Sequence, residues 1–345
     1  MIAALDIVGN PSSVHAEGRG AKSLVEKARA QVADLVGCKV NQVIFTSGAT
    51  EAAALAVAQK ARHGGGFAAL PTEHDCLSVW SERDVAAVHG PDGALRSDWR
   101  EILPEGLIAV SAANSETGVM SPNGKVVGSW DGHSVICDIT QMAGKLPIRF
   151  QDETPSYAIL SAHKLGGPKG VGALINFTPE DPQAILRGGG QEMGRRSGTE
   201  NVVGIAGFGA AAEAAGRDIA AGLWERVAEF RNILETALEA GPKLPIFVGK
   251  GVTRLPNTSC IVMPGWKGET QVMQMDLAGF AISAGSACSS GKVRASRVLQ
   301  TMGYDAAEAA SAIRVSLGLN TTEEDVLRFA DVWRAKREKH EQRAA

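Results

Sequence analysis

Four apolar runs in the first half of the chain each end in a polar cluster. Gly66-Phe-Ala-Ala-Leu70 runs into Thr72-Glu-His-Asp75, and Leu107-Ile-Ala-Val110 into Asn114-Ser-Glu-Thr117. Val135-Ile-Cys137 runs into Asp138-Ile-Thr-Gln141, and Tyr157-Ala-Ile-Leu160 into Ser161-Ala-His-Lys164. Unbroken apolar runs of this length predict strands buried on both faces, as in a mostly parallel sheet covered by helices. Helical spacing appears from Glu17 to Val36, where Leu24, Val25, Ala28, Val32, Leu35 and Val36 share one face, and Gly37 predicts the stop. Asn10-Pro-Ser-Ser13 predicts a turn, with Ser12 or Ser13 capping that helix. Gln42 to Phe45 reads as a strand, and the alanine-rich stretch to about Arg62 as a helix. A long alanine-rich helical stretch from Asn201 to about Leu238 predicts a link between two domains. The remainder reads as a smaller α/β domain that ends in an amphipathic helix, Thr322 to Gln342, with a charged tail. The fold class expected is α/β, with a large domain over 1–220 and a small one over 221–345.

Open α/β sheets bind ligands outside the carboxyl ends of their strands. Here those ends carry His74, Asn114, Asp138, Gln141, Ser161, His163 and Lys164, which points to a single crevice. Ahead of them, Thr46-Ser-Gly-Ala-Thr-Glu51 joins a strand to a helix, an arrangement that aims free backbone N–H groups at an anion. It is not a P-loop, because the Gly-Lys-Ser/Thr ending is missing, and alone such a turn is more often only a helix cap. Lys164 closes an apolar run and is followed by Gly166, Gly167, Gly170 and Gly172, then by a second run, Ala173 to Ile175. That pattern predicts a turn returning as another strand, with one amine held at the sheet edge. A partly desolvated lysine serves well as a Schiff-base nucleophile; the stretch alone equally fits a surface lysine beside a glycine-rich hairpin. A phosphate cup, a buried Asp and a Lys together suit pyridoxal phosphate (PLP). The Asp pairs with the pyridine nitrogen and an imidazole, His74, stacks on the ring. Singly, His74 fits a structural histidine and Asp138 a turn cap; the constellation carries the reading.

Composition removes other classes. A chain of 345 residues suits two domains. A net charge of -3 supplies no basic field for nucleic acid. No apolar run approaches the roughly 18 residues of a membrane span. Met-Ile-Ala-Ala-Leu-Asp has no charged n-region, so the expectation is a cytoplasmic protein. Cys38, Cys76, Cys137, Cys260 and Cys288 are scattered and form no CxxC pair, which argues against a zinc site and a disulfide framework and leaves free thiols.

In combination these motifs resemble a cysteine desulfurase of the NifS/IscS type, in the class V aminotransferase family of fold-type I PLP enzymes. The matching pieces are Gly9-Asn-Pro-Ser-Ser13, Thr46 to Glu51, Thr72-Glu-His74, Asp138 to Gln141, and Ser161 to Lys164 with its Gly-Gly-Pro-Lys-Gly sequel. To these are added Gly188 to Asn201, Ser283 to Gly291 and Ile313-Arg-Val-Ser-Leu-Gly318, in the family's order and over nearly the whole chain.

The resemblance implies a seven-stranded, mostly parallel sheet in the large domain. It implies that Lys164 carries PLP, Asp138 pairs with the pyridine nitrogen, and Gln141 meets the ring oxygen. Ala49, Thr50, Ser161 and His163 would hold the phosphate, and Thr199 would reach the phosphate of a neighbouring subunit in a homodimer. Arg314 would clamp the substrate carboxylate with a planar fork, and Asn10 would lie near it; alone, Arg314 also fits a structural salt bridge. Cys288 stands among small residues, Ser283 to Gly291, with no large side chain to anchor the segment. It would take sulfur from L-cysteine as a persulfide, releasing L-alanine and passing the sulfur to an iron–sulfur scaffold or relay protein. Lys164 would move the Cα proton and His74 the proton at the C–S step.

Two departures stand out. The family's opening strand and Ala-Thr-Thr-Pro turn are expected to be missing ahead of Asn10. Asn114-Ser115-Glu116 replaces the family's Asn-Asn-Glu, so Ser115 substitutes a shorter contact to the cofactor. A selenocysteine lyase, an aminotransferase and an inactive PLP-binding homologue are the alternatives.

Overall fold

The structure is a computed structural model that describes residues 1–85, 88–96, 98, 101, 103–121, 133–148, 150, 154–240, 243–285 and 295–344. The chain divides into two units: Met1–Val85, Arg100–Ala112 and Lys125–Ala221 form one, and Ala86–Trp99, Ala113–Gly124 and Gly222–Ala345 the other.

The first unit contains α1 (Ile2–Leu5), α2 (Ala16–Val36), β1 (Val43–Thr46), α3 (Ala49–Val57), β2 (Phe67–Ala69), α4 (Asp75–Ser78), β3 (Leu107–Ser111), β4 (Ser134–Asp138), β5 (Tyr157–Ser161), β6 (Gly172–Asn176) and α5 (Val202–Ala220). Its sheet has six strands among the described residues, in the order β1-β6-β5-β4-β3-β2, against the seven expected. β2 through β5 pair in parallel, and β6 pairs antiparallel with both β5 and β1. Two antiparallel steps restore direction, so β1 runs the same way as β2–β5. All five therefore release their carboxyl ends at one edge of the sheet. β1, β5 and β6 are buried along their whole length, which is why they read as unbroken apolar runs rather than alternating ones. Ile44, Leu55, Phe67, Leu77, Leu107, Ile136, Tyr157 and Leu174 belong to one core cluster between sheet and helices.

Two local expectations need correction. α2 is capped by His15, whose Nδ1 accepts from Gly18 N–H at 3.3 Å, and not by Ser12 or Ser13. Those serines belong to a turn that Asn10 closes on itself, Oδ1 accepting from Ser12 N–H at 2.9 Å. The stretch from Asn201 to Leu238 is two helices, because Gly222 at φ 69° reverses the backbone between them.

The second unit contains α6 (Leu223–Leu238), β7 (Ile246–Phe247), β8 (Thr258–Val262), α7 (Gly268–Asp276), β9 (Ser283–Ala284), α8 (Arg297–Thr301), α9 (Ala306–Ala310), β10 (Ala312–Ser316) and α10 (Glu323–Ala344). Its sheet, β7-β8-β10-β9, is antiparallel throughout. Leu234, Ile261, Trp266, Ile313, Phe329 and Trp333 share its core. The buried Gln271 serves three polar atoms of this core, donating to Trp266 O and Ser311 O and accepting from Trp333 Nε1 at 3.0 Å.

Candidate active site

The carboxyl edge of the first sheet gathers the chemistry. β4 ends at Asp138, which is buried. Its Oδ1 accepts from Thr140 N–H at 2.8 Å. Burial pushes its carboxyl up from the ordinary value; the Thr140 hydrogen bonds, the imidazole of His74 when it is protonated, and the charge of Lys164 oppose that push without cancelling it. Asp138, His74 and Lys164 therefore share one electrostatic neighbourhood. His74 caps α4, its Nδ1 accepting from Cys76 N–H at 3.1 Å. A neutral ring in that role carries its proton on Nε2.

Lys164 ends a single 3-10 turn, Ala162–Lys164, directly after β5, and its side chain is exposed, as is that of His163. Partial desolvation by neighbouring chain, then the charges of Lys164 and Lys169, hold the His163 imidazole below its usual range. The hairpin read from the glycines is present: β5 returns as β6 with Ser161 opposite Gly172. Gly172 is needed there because a Cβ would stand 2.6 Å from Leu160 O and 2.7 Å from Gly48 Cα. This close approach seats the β1–α3 turn beside the lysine turn. Ala49 N–H donates to Ser161 Oγ at 2.7 Å. No cap side chain closes the first turn of α3, so the N–H groups of Thr50 and Glu51 have no helical acceptor. Thr50 is exposed at this terminus. Glu51 accepts from Ser47 N–H at 2.8 Å and pairs with Arg196 at 2.8 Å. Burial works against its charge, but these partners hold it below the usual carboxylate range. A cleft of about 220 Å³ lies beside this turn, lined by Thr46, Ser47, Arg196, Thr199 and Glu200 among others. Thr199 is exposed.

In the second unit, β10 presents Arg314. Its Nη1 donates to Ser115 O at 2.6 Å and its Nη2 to Ser283 Oγ at 3.4 Å, while its buried Nε has no partner among the described residues. Asn114 Oδ1 accepts from the N–H groups of Glu116 and Thr117, each at 2.9 Å, so it closes its own turn. Cys288 lies outside the described residues, whereas β9, which leads toward it, is in place. The other four thiols are poor nucleophiles. Burial pushes Cys38 and Cys260 up to about 12 and Cys76 and Cys137 higher still. Asn10 sits in its self-closed turn in the first unit.

Two residues escaped the sequence reading. Glu73 is buried, its Oε1 accepting from Ser111 N–H at 2.8 Å and its Oε2 from Ser111 Oγ, so it ties the His74 segment to the end of β3. Lys145 is buried behind the Asp138 turn. An acid flanked by Thr72 and His74, and a lysine after Gly144, were the available signals; neither periodicity nor composition marks such residues as buried.

A helix terminus with free N–H groups, a deep carboxylate and an exposed amine on one sheet edge fit the phosphate, the ring nitrogen and the aldehyde of PLP. Fold and site thus define a PLP-dependent protein of fold type I. The chain belongs to the class V aminotransferase family, whose model matches residues 4–329. It is 40% identical over 359 aligned positions to a cysteine desulfurase of Frankia sp. (strain EuIK1), covering 94% of this chain and 83% of that one. It is 39% identical over 339 positions to the cysteine desulfurase IscS of Anaeromyxobacter sp. (strain Fw109-5), covering 92% and 83%. The crystal structure of a NifS-like protein from Rickettsia africae ESF-5 superposes with a TM-score of 0.87 at 29% identity, covering 98% and 94%.

Proposed function

We propose that this protein is a cysteine desulfurase that removes sulfur from L-cysteine and leaves it as a persulfide on Cys288. The observation that carries the reading is the shared neighbourhood of Asp138, His74 and Lys164 at the carboxyl edge of the sheet. Relatives named cysteine desulfurase over most of the chain support it.

When bound, PLP supplies an electron sink for the carbon that gives up its proton. Asp138 keeps a proton on the pyridine nitrogen, and burial strengthens that pairing by excluding water. Gln141 meets the ring oxygen. The α3 terminus at Ala49 and Thr50, with Ser161 and His163, holds the phosphate. Asn114 and Ser115 would serve as further cofactor contacts. Lys164 would hold the cofactor through its exposed amine and would move the substrate's Cα proton. Arg314 takes the substrate carboxylate with help from Asn10. The Cys288 thiolate attacks the substrate sulfur; the S–Cβ bond breaks and a Cys288 S–S bond forms. The carbon left behind takes up a proton, for which His74 Nε2–H is the donor, and becomes L-alanine. Residues 1–220 serve as the cofactor domain and 221–345 as the domain of Arg314 and Cys288. Thr199 completes the phosphate site of a second copy, so the working unit is a homodimer. The persulfide passes to an iron–sulfur scaffold or relay protein. The cytoplasm, where scattered thiols stay reduced, suits the chemistry.

The test measures sulfide and alanine released from L-cysteine with PLP and a reductant. Wild type is expected to release both in equal amounts. Cys288→Ala is expected to bind PLP and release neither, and Lys164→Ala to lose covalent PLP. If Cys288→Ala matches wild type, the reading moves to a selenocysteine lyase or an aminotransferase of the same family. A wild type that binds PLP and is inert points to an inactive homologue.

A further inference from the structure

We propose that Lys145 is a positioning residue that clamps the Lys164 turn to the Asp138 turn. The residue is 7% exposed. Its Nζ donates to Gln141 O at 2.7 Å and to Lys164 O at 3.3 Å. A buried ammonium costs far more to desolvate than a methionine of similar shape, so filling space does not account for it. What the charge adds is a set of strong donors aimed at two carbonyls.

Those carbonyls belong to different elements. Gln141 follows β4 in the turn that begins at Asp138, a turn held by Met142 N–H and Ala143 N–H to Ile139 O, and by Lys145 N–H to Met142 O. Lys164 ends the turn after β5. The two turns are tied at one end by Ile139 N–H to Ile159 O at 3.1 Å, in line with the sheet. Lys145 supplies a second tie five residues further along the β5 side, beyond the last ladder pair. One tie is a hinge; two separated ties fix an orientation. Gly144 is independent support. It adopts φ 79°, and a Cβ there would stand 2.6 Å from Leu165 Cβ, so the turns pack surface to surface beside the clamp. The clamp therefore sets where the Lys164 amine stands relative to Asp138, the two groups read as holding opposite ends of the PLP ring. The inference rests on that reading.

The test uses the full chain with Lys145→Met, Lys145→Gln and Lys145→Arg. In the PLP-free protein, amide hydrogen exchange of residues 162–165 is expected to speed up about tenfold in Lys145→Met and to recover in Lys145→Arg. In the loaded protein, PLP affinity is expected to fall roughly tenfold or more, with weakened visible circular dichroism of the bound cofactor. A Lys145→Met protein that melts lower but keeps wild-type exchange, affinity and dichroism would overturn the clamp. Should Lys145→Met fail to fold, wild-type values in Lys145→Gln overturn it equally. Wild type and Lys164→Ala run alongside: absence of covalent PLP in wild type sinks the cofactor reading, while exchange in the PLP-free chain still decides the clamp.

Discussion

Asp138 shows how a site residue is held at the expense of stability. An isolated carboxyl of this kind titrates near 3.8, and burial raises it in the folded chain. Above pH 3.8 the unfolded chain has released a proton that the folded chain still keeps. The PLP-free protein is thus fully stable in this respect below that pH and loses stability as pH rises through the raised folded value. Asparagine can accept from Thr140 N–H without carrying the charge. PLP-free Asp138→Asn is expected to melt above PLP-free wild type at neutral pH, and the gap should close on acidification. Activity should fall roughly 100-fold or more, because an amide cannot hold the pyridinium proton. Thermal melts against pH, with PLP removed, check the first claim; steady-state alanine release checks the second. The sequence showed Asp138 as a polar residue closing an apolar run. That Asp138 is buried deeply enough to resist ionisation depends on neighbours from β3 and β5, far away in the chain.

At the scale of elements, the segment carrying Thr199 rests on an unusual turn. Glu192 and Met193 adopt φ 49° and 60°, a region that side chains with a Cβ avoid. Glu192 is held there by a buried pairing with Arg29 of α2 at 2.7 Å and 2.8 Å, and by Phe45 N–H at 3.0 Å. Removing the charge of Glu192 leaves buried Arg29 with only its longer pairing to the half-exposed Glu26, at 3.3 Å. Glu192→Gln is expected to cost about 3 kcal/mol in urea unfolding, whereas Met193→Gly should stabilise by about 1 kcal/mol by relieving the backbone. Equal effects of the two changes would contradict this account. The motif Gly188 to Asn201 was visible as a motif; its anchor in α2 was not, because 163 residues separate the partners. Strands fared better than caps. Burial on both faces leaves a signal in every residue of a strand, but a cap depends on one side chain's rotamer, as His15 shows.

For the whole molecule, the proposed dimer makes a claim about which chain supplies which group. If Thr199 serves a neighbour's phosphate, a mixed dimer of Lys164→Ala and Thr199→Ala chains contains one fully defective site and one wild-type site. The differently tagged and purified mixed dimer is expected to show about half the wild-type activity, while each homodimeric variant falls well below that. Activity of the mixed dimer no higher than that of the Thr199→Ala homodimer would place Thr199 in its own chain's site. Ile2, Leu5, Val8 and Met193 of the first unit are largely exposed in the single chain, as expected if a partner covers part of this surface.

By itself the sequence determined the alternation of buried strands and helices, the polar residues that close each strand, and the glycine-rich turn that returns Lys164's strand on itself. These are local matters: apolar continuity, turn chemistry and short-range spacing act within a few residues. The tertiary structure alone decided that β1 points the same way as β2–β5 through two antiparallel steps, so that Thr46 to Thr50 meets Ser161. It alone decided that Glu73 and Lys145 are buried supports rather than solvated charges. Burial and partner choice are sums over contacts from distant parts of the chain, and no window along the sequence contains them.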